Sequence, residues 1–200
     1  SGHHRPPVTA VWWLLIPVAY LVGTFPSATI VARAHGVDIR TVGSGNPGAS
    51  NVTRVLGWRR GLWVFVLDAA KGALAAGLGL IVSGRPAGYV LGAAAVLGHV
   101  LPVWTRFRGG KGVATGGGVF AVLSPLVFVM LVPLWLLISR LTKKASLASI
   151  VIVALLPVGV GLMKRSWWEV GATVLVCVFV MIRHVGNIRR LAGRREHALT

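Results

Sequence analysis

Long apolar runs separated by short polar segments are the feature that most constrains this sequence. Seven such runs follow one another along 200 residues. About 20 apolar residues are what an α-helix needs to cross the hydrocarbon core of a bilayer, because each residue advances the helix by about 1.5 Å. Mean hydropathy is +0.77 and 12% of the residues are charged, against about 25% in typical soluble domains. The pattern therefore predicts an all-α, polytopic integral membrane protein.

The seven runs predict seven helical segments in a single membrane domain, residues 1–200. Pro26 is expected to bend the first segment near one interface, because proline disrupts helical hydrogen bonding. The fourth segment is too short for a full span and is expected to be partial or strongly tilted. The predicted segments are 8–35, 61–82, 87–104, the short stretch that ends at Leu123, 126–141, 145–163 and 167–182.

Positive charge is concentrated on one side of the predicted segments. Lysine and arginine favour the cytoplasmic loops of membrane proteins, so this bias predicts an N-terminus outside and a C-terminus in the cytoplasm. The glycine-rich polar segments then all lie on the cytoplasmic side. The opposite side has Arg5, Arg85, Lys164 and Arg165, and Lys71 lies within a span. The sixteen basic residues on the cytoplasmic side are Arg33, Arg40, Arg54, Arg59, Arg60, Arg106, Arg108, Lys111, Arg140, Lys143, Lys144, Arg183, Arg189, Arg190, Arg194 and Arg195.

The formal net charge of +17 does not indicate a nucleic-acid partner. The basic residues form short clusters between apolar runs, which is how membrane proteins set their orientation. Cys177 is the only cysteine, so an internal disulfide is impossible, and no Cys/His spacing typical of zinc is present. We therefore expect no nucleic acid, no metal and no cofactor, and we expect Cys177 to be a small packing or lipid-facing residue.

The segment Gly43–Arg54, with the sequence GSGNPGASNVTR, is the first polar cluster with recognisable chemistry. Glycines let backbone N–H groups approach a ligand closely, and arginine offers a planar fork that suits phosphate. These residues are typical of an anion site at a membrane surface, although an ordinary flexible loop has the same composition. The candidate residues of this cluster are Ser44, Gly45, Asn46, Ser50, Asn51 and Arg54.

A second cluster, RFRGGKGVATGGG, spans residues 106–118 and places Lys111 between glycines. It is not a P-loop, because the GxxxxGK[ST] spacing is absent. Exposed amide groups of Gly109, Gly110 and Gly112 together with one flexible ammonium would still suit phosphate. Gly116–Gly118 have an equally good explanation in close helix packing, as small residues do in membranes.

The third cluster follows the last apolar run and contains His184 and Asn187, which share a face if the segment is helical. The histidine is either an interfacial residue or a group that handles a proton or orients a ligand. His99 presents a similar choice. Ser146 and Ser149 stand one helical turn apart at the start of the sixth segment.

Asp68 and Lys71 stand three residues apart within the second predicted segment. An unpaired charge inside a membrane is energetically expensive. We therefore expect these two side chains to pair with each other or with polar groups of the loops.

These clusters together resemble one family. GSGNPGASNVTR, GHVLPVWTRFRGGKGVAT and RHVGNIRRLAGRRE are similar to the three motifs of bacterial acyl-phosphate:glycerol-3-phosphate acyltransferases of the PlsY type, and DIRTVGSGN, LDAAKGAL and KKASLASI fit the same family. The resemblance implies a seven-helix enzyme of the bacterial cell membrane. It would transfer a fatty acyl group from acyl phosphate to glycerol 3-phosphate, giving lysophosphatidic acid and phosphate for phospholipid synthesis. A soluble enzyme that makes acyl phosphate is an implied partner.

The resemblance also assigns site residues. It implies catalytic roles for Ser44, Arg54, Lys111, His184 and Asn187, and substrate binding by Gly45, Asn46, Ser50, Asn51, Gly109, Gly110, Gly112, Ser146 and Ser149. Four departures from the family pattern stand out, one being that Arg106 and Arg108 replace the usual lysines and preserve the charge. Ser50 replaces a common threonine, Pro47 removes one N–H donor, and Val185-Gly186 replaces a more polar pair.

Two questions stay open at the level of sequence. Either His184 removes the proton of the attacking glycerol hydroxyl, or a phosphate oxygen of the donor does so in a substrate-assisted step. We favour the substrate-assisted step. A covalent serine mechanism is disfavoured, because no Ser-His-Asp set is visible. The alternative from another class is a transporter or channel for phosphate-bearing anions. Transporters often show inverted repeats and broken helices at the midplane, whereas the three clusters here do not repeat one another.

Overall fold

The computed structural model describes residues 12–199, which are mainly helical and contain no strand. Arg5 and the predicted start of the first segment at Val8 lie outside the described residues. Two 3₁₀ turns, Trp12–Leu14 and Val103–Thr105, accompany the α-helices. The α-helices are α1 Leu15–Gly23, α2 Ser27–Arg33, α3 Ala49–Leu56, α4 Trp58–Val100, α5 Val113–Leu123, α6 Pro125–Thr142, α7 Ala145–Leu162, α8 Trp167–Ile182 and α9 Val185–Ala192.

The first apolar run forms two helices, α1 and α2, with a break at residues 24–26. Pro26 precedes α2 with φ −89° and ψ 60° and has no N–H to continue the helical ladder. The Thr24 N–H group still bonds to the carbonyl of Tyr20 at 3.0 Å, so the first helix ends in a regular turn. The bend at Pro26 that the sequence predicts is therefore present, and it places the peptide groups of the break inside the fold.

The long helix α4 is a hairpin of two arms, residues 58–82 and 85–100. Ser83 (φ −148°, ψ 20°) and Gly84 (φ 75°, ψ −162°) leave the helical region between them. The left-handed φ of Gly84 suits glycine, which has no Cβ to clash. The arms run back along each other and are in close contact near the turn. The contact is so close that a Cβ on Gly79 would meet the backbone of Ala87. The predicted turn at residues 83–86 is thus confirmed.

Four described helical stretches are long and apolar enough to cross a membrane, or up to five if the bent pair α8–α9 counts as one span. The α4 hairpin is counted as one of these stretches. Helices α8 and α9 meet at a bend of 59°. Helix α5 has 11 residues, about 16 Å at 1.5 Å per residue, which is roughly half of the 30 Å hydrocarbon core. The all-α, multi-pass architecture expected from the sequence is confirmed.

Three helices extend into segments that the sequence analysis treated as polar. The predicted loop of residues 36–60 contains α3, whose apolar residue Val52 is buried against the helices beneath it. Helix α5 begins at Val113, inside the second polar cluster, and α9 lies within the basic tail. In α5 Gly118 packs as small residues do in membranes, since a Cβ there would meet the backbone of Ala69 in α4, whereas a Cβ on Gly116 would meet nothing within 4 Å.

The largest buried cluster joins the second arm of α4 to α5, α7 and α8, with Phe120 and Leu123 at its centre. Cys177 lies in this cluster and is buried, so it is a packing residue. A second, alanine-rich contact joins α1 to α4, where Ala19 and Ala95 allow a close approach. These contacts fix the helices, and the polar loops at their ends are positioned accordingly.

The two ends of the helix bundle differ in chemistry. At one end Arg85 pairs with Glu169 of α8 and donates to the carbonyl of Leu123 at 2.9 Å, which ties α4, α5 and α8 together. At the other end the three polar clusters come together. Arg40 donates to the Arg108 carbonyl at 2.8 Å, and the Leu199 N–H group donates to the Lys143 carbonyl at 2.6 Å.

Candidate active site

The three polar clusters meet through direct hydrogen bonds at one end of the bundle. Lys111 of the second cluster donates from Nζ to Oδ1 of Asn187 in the third, at 2.5 Å. Arg54 of the first cluster donates from Nε to the carbonyl of Ala198, at 2.7 Å. Ser146 reaches the same region through Glu196. Residues separated by up to 144 positions thus form one site.

Asn51 is the residue that holds the first cluster in shape. Its Oδ1 accepts the Ser44 N–H group at 2.8 Å and Nη1 of Arg54 at 3.1 Å. Its Nδ2 donates to the carbonyls of Ile39 and Val42 at 3.1 and 3.0 Å. A neutral amide offers two acceptor and two donor positions, and all four are used. Asn51 is 1% exposed, so the geometry gives it a positioning role rather than the predicted contact with substrate.

Gly43 explains why the first cluster begins with a glycine. Its φ is +60°, a left-handed conformation, and a Cβ at this position would collide with Oδ1 of Asn51. The turn can therefore close over the Asn51 amide only if residue 43 has no side chain. Ser44, Gly45, Asn46 and Ser50 follow on this loop and at the start of α3, and all four are half-buried.

Lys111 is a charged residue of the site whose pKa is strongly lowered. Burial is the main reason that its pKa falls to about 8, and three neighbouring guanidinium groups act in the same direction, whereas Glu196 opposes them. The three arginines are Arg190, Arg54 and Arg183. Burial also lowers the pKa of Arg54. Cations gathered at this density raise the local positive potential, so the site is suited to a doubly charged anion.

Glu196 is the site residue that the sequence analysis missed. Its side chain is 3% exposed and accepts three hydrogen bonds. Asn187 Nδ2 donates at 2.6 Å, Ser146 Oγ at 2.9 Å and Arg190 Nε at 2.9 Å. Burial alone would raise the pKa of the Glu196 carboxyl, but these donors hold that pKa below its usual value. The available signal was its rarity, because the chain has four acidic residues and this one stands in a basic tail.

We expect Glu196→Ala to destabilise the protein and to abolish most activity. The substitution removes the shared acceptor of Asn187, Ser146 and Arg190, and leaving the buried Asn187 amide unsatisfied costs about 1–3 kcal/mol. Thermal unfolding in detergent, followed together with turnover, measures the effect. Arg195→Ala at the exposed neighbouring position is the matched control and should be milder, since it keeps the Glu196 carboxylate. An unchanged melting temperature and unchanged kinetics for Glu196→Ala would show that the cluster contributes neither stability nor activity.

The two predicted serines of α7 have different environments. Ser146 donates to Glu196 and so lies beside the other candidate residues. Ser149 is buried, and its Oγ accepts the indole N–H of Trp135 at 3.0 Å, which joins α7 to α6. The substrate contacts expected of both serines remain predictions.

His184 and Asn187 stand at the bend between α8 and α9, and both are buried. The Nδ1 atom of His184 lies 2.8 Å from the carbonyl oxygen of Val180. Because a carbonyl oxygen only accepts, Nδ1 carries the proton in this contact, and Nε2 of a neutral ring is then an acceptor. This tautomer suits a proton acceptor and a ligand-orienting residue equally well.

The glycines around Lys111 act through close packing more than through free amide groups. The N–H groups of Gly109 and Gly110 donate to the carbonyls of Val100 and His99, at 3.0 and 3.1 Å. A Cβ on Gly110 would collide with the His99 ring. These two amides are therefore not available as the phosphate donors that the sequence analysis expected. Gly112, at φ +89°, ends the loop directly before α5.

The loop that carries Lys111 rests on buried charges in α4. Lys71 Nζ lies 2.9 Å from Asp68 Oδ1, and Nδ1 of His99 lies 3.6 Å from the same oxygen. Lys71 also donates to the carbonyl of Phe25 at 3.0 Å. The predicted pairing of Asp68 with Lys71 is confirmed. His99 thus links the hairpin to the loop through its backbone carbonyl and its ring.

Comparison with known proteins agrees with this architecture. The glycerol-3-phosphate acyltransferase family model matches residues 13–194. A protein named glycerol-3-phosphate acyltransferase from Geobacter sulfurreducens is 41% identical over 190 residues, covering 92% of this chain and 95% of that protein. The protein of the same name from Bacillus subtilis is 39% identical over 184 residues, covering 92% and 95%.

Two solved structures are similar along nearly the whole chain. Both are of PlsY (YgiH), described as an integral membrane glycerol 3-phosphate acyltransferase. Its glycerol 3-phosphate form has a TM-score of 0.90 at 36% identity, covering 96% of each chain. Its lysophosphatidic acid form has a TM-score of 0.88 at 36% identity, covering 94% of this chain and 95% of the other. Family match, sequence identity and fold agree, and the chain belongs to the glycerol-3-phosphate acyltransferase family.

Proposed function

We propose that this chain transfers a fatty acyl group from an acyl phosphate to glycerol 3-phosphate, releasing lysophosphatidic acid and inorganic phosphate. The observation that carries the proposal is the contact between Lys111 and Asn187, with Arg54 close enough to affect the Lys111 charge. Basic residues of three separate clusters therefore lie close together. The related structures in their glycerol 3-phosphate and lysophosphatidic acid forms support this acceptor and this product.

The reaction joins two anions, which explains the need for buried positive charge. The glycerol hydroxyl attacks the carbonyl carbon of the acyl phosphate, a C–O ester bond forms, and the bond from that carbon to the phosphate oxygen breaks. The hydroxyl proton leaves to His184 or to a phosphate oxygen of the donor. Because an acyl phosphate is already activated, the protein mainly holds both phosphates in line and stabilises the developing oxyanion.

Lys111 and Arg54 are assigned to the phosphates. A guanidinium offers a planar fork to two phosphate oxygens, and an ammonium supplies a compact point charge. Ser44, Gly45, Asn46 and Ser50 line the approach from the first cluster, and Ser146 with Asn187 complete the opposite side. Asn51, Gly109 and Gly110 hold this arrangement in place, as their hydrogen bonds indicate.

The test of the function is product formation by the purified protein. In detergent micelles or nanodiscs, hexadecanoyl phosphate and glycerol 3-phosphate should give lysophosphatidic acid and phosphate in equal amounts. Hexadecanoyl-coenzyme A in place of hexadecanoyl phosphate identifies the donor, since the proposal expects product with the phosphate alone. Product with the thioester and none with acyl phosphate would overturn the proposed donor. No product with either would overturn the proposed reaction.

The proposed site faces the cytoplasm, where a soluble enzyme could supply acyl phosphate. The support is the grouping of the basic loops at one end of the bundle, shown by the contacts of Arg40 with Arg108 and of Arg54 with Ala198. Basic loops favour the cytoplasmic side. The acyl chain would enter from the membrane, and glycerol 3-phosphate from the cytoplasm.

This orientation predicts a labelling pattern in intact cells. In a Cys177→Ala background, a cysteine in place of Arg165 should react with a membrane-impermeant maleimide from outside. Cysteines in place of Arg59 and Arg195 should react only after the cells are opened. All three positions are exposed in the structure, so a lack of reaction reports sidedness rather than burial. Reaction of the residue-59 cysteine from outside would reverse the orientation.

A further inference from the structure

The loop that carries Lys111 closes back onto the end of α4. An α-helix leaves its last four carbonyl groups without partners inside the helix. Here the N–H group of Gly110 donates to the His99 carbonyl at 3.1 Å, and that of Gly109 to the Val100 carbonyl at 3.0 Å. Lys111 directly follows Gly110, so the end of α4 determines where the Lys111 backbone lies.

The side chain of His99 fills the space between this loop and the first arm of α4. One edge of the ring is packed so tightly on Gly110 that a Cβ there would collide with Nε2. On the opposite edge, Nδ1 lies 3.6 Å from Oδ1 of Asp68. His99 is 8% exposed and Asp68 is 2% exposed. The ring is therefore enclosed between the loop on one side and a buried carboxylate on the other.

Asp68 is itself held in place. Its Oδ1 lies 2.9 Å from Nζ of Lys71, and Nζ also donates to the carbonyl of Phe25 in the break between α1 and α2. At 3.6 Å the contact between Asp68 and His99 is longer than a hydrogen bond, so the carboxylate orients the ring mainly through its charge. The position of the ring thus depends on both arms of α4 and on the α1–α2 break.

The properties of Lys111 depend on where this loop holds it. Its Nζ donates to Asn187 at 2.5 Å, and burial is the main reason that its pKa falls to about 8. A lysine on a loosely held loop would instead turn its ammonium toward water, which removes the cause of the lowered pKa. The charged groups that act on Lys111 are Glu196, Arg190, Arg54 and Arg183.

We propose that His99 is a positioning residue for acyl transfer, whose ring holds Gly110 in place and thereby keeps the Lys111 ammonium in the site. This inference rests on the proposed function, which assigns Lys111 to a substrate phosphate. It also decides between the two roles that the sequence left open for His99. The cavity that His99 lines with Gly109 and Gly110 has a volume of about 30 Å³, far below the roughly 300–1,000 Å³ of ligand sites. His99 therefore acts through the loop and does not exchange a proton with substrate.

The first test is a double-mutant cycle between His99 and Lys111. We expect His99→Ala to lower kcat/KM by about 10-fold, because the ammonium is still present but is no longer held in one position. In a Lys111→Ala background the same change should lower kcat/KM by less than about twofold, because a residue that acts through Lys111 then has nothing to position. Equal losses in the two backgrounds would overturn the proposal.

Leu91→Ala is the matched control for lost packing. Leu91 is fully buried in the same arm of α4, where it packs against α1, about 12 Å from His99 along the helix at 1.5 Å per residue. Its substitution should lower the melting temperature and leave kcat/KM close to that of the wild type. A loss of kcat/KM as large as that of His99→Ala would reduce the effect to general destabilisation and overturn the proposal. Should His99→Ala not fold, His99→Asn takes its place, since asparagine keeps a donor near Asp68 but lacks the ring edge that packs on Gly110.

The second test measures Lys111 directly and needs no turnover. The purified protein in nanodiscs is labelled with a trace of acetic anhydride across a range of pH, and mass spectrometry follows the Lys111 peptide. We expect its pKa to rise in His99→Ala from about 8 toward the ordinary value near 10.5, and to stay in place in Leu91→Ala. An unchanged pKa in His99→Ala would overturn the proposal. The expected rise in a protein that catalyses no acyl transfer would support the positioning of Lys111 by His99 and contradict the proposed function alone.

Discussion

Lys111→Ala is expected to lower kcat/KM by about 10²–10³-fold, the loss typical of removing one preorganised donor to a developing negative charge. The ammonium is held by Asn187 at 2.5 Å and surrounded by arginines. The ammonium therefore stabilises negative charge from one fixed position, and a water molecule in its place would not supply that positive charge. Steady-state kinetics with both substrates varied, in detergent of one composition, measures the loss.

Arg54→Ala should give a loss of similar size, because the guanidinium reaches the same site from α3. Arg140→Ala is the matched control for both variants. It removes one positive charge from an exposed position at the end of α6, on the same side of the bundle. Its kinetics should be close to those of the wild type. Near wild-type kinetics in Lys111→Ala or Arg54→Ala, with the protein folded, would remove that residue from the site.

The charge state of Lys111 adds a pH test. Its pKa in the unliganded protein is lowered to about 8, so the ammonium is charged below that pH and is lost as the pH rises through it. We therefore expect KM for glycerol 3-phosphate to rise above pH 8. Lys111→Arg keeps the charge to higher pH and should move this alkaline limb upward. A limb that stays in place in Lys111→Arg would assign it to another group.

The helices of this protein could be predicted because apolar runs of membrane length allow few alternatives. The turn at Gly84 and the bend at Pro26 follow from the backbone preferences of single residues, which the sequence shows directly. Helix α3 was missed because its buried face is short. Val52 is the apolar residue of α3 that is fully buried. The helix also contains Ser, Asn and Thr, which favour turns and caps, so the sequence analysis predicted a loop.

The candidate residues of the site could be selected from sequence. Which of them face the substrate and which only hold the loops in place could not be predicted. Asn51 and Gly110 have the residue types of a phosphate cradle, yet Asn51 Nδ2 and the Gly110 N–H group donate to backbone carbonyls brought near by folding. Glu196 was missed because its three partners come from α7 and α9 and become neighbours only when the tail folds back. Such information lies in the packing, not in local spacing.

His184→Asn separates the two accounts of proton transfer, and we expect a raised KM for glycerol 3-phosphate with substantial kcat remaining. In the substrate-assisted account a phosphate oxygen of the donor takes the proton, and His184 only orients the acceptor. Asparagine keeps some hydrogen bonding but does not titrate. Kinetics across the pH range, with the melting temperature as a control for folding, give both parameters.

The histidine-base account predicts the opposite pattern for the same variant. Burial lowers the pKa of His184 from its usual value near 6.5 to about 4, so a histidine base would place an acid limb of turnover near that lower pH. In His184→Asn, kcat should then collapse and that limb should vanish from the residual activity. The tautomer set by the Val180 carbonyl leaves Nε2 able to accept a proton, so geometry permits this route. What favours the donor oxygen is proximity, because cations that hold the acyl phosphate in line also hold its oxygens beside the attacking hydroxyl. Unchanged KM with kcat lowered by several orders of magnitude would decide for the histidine.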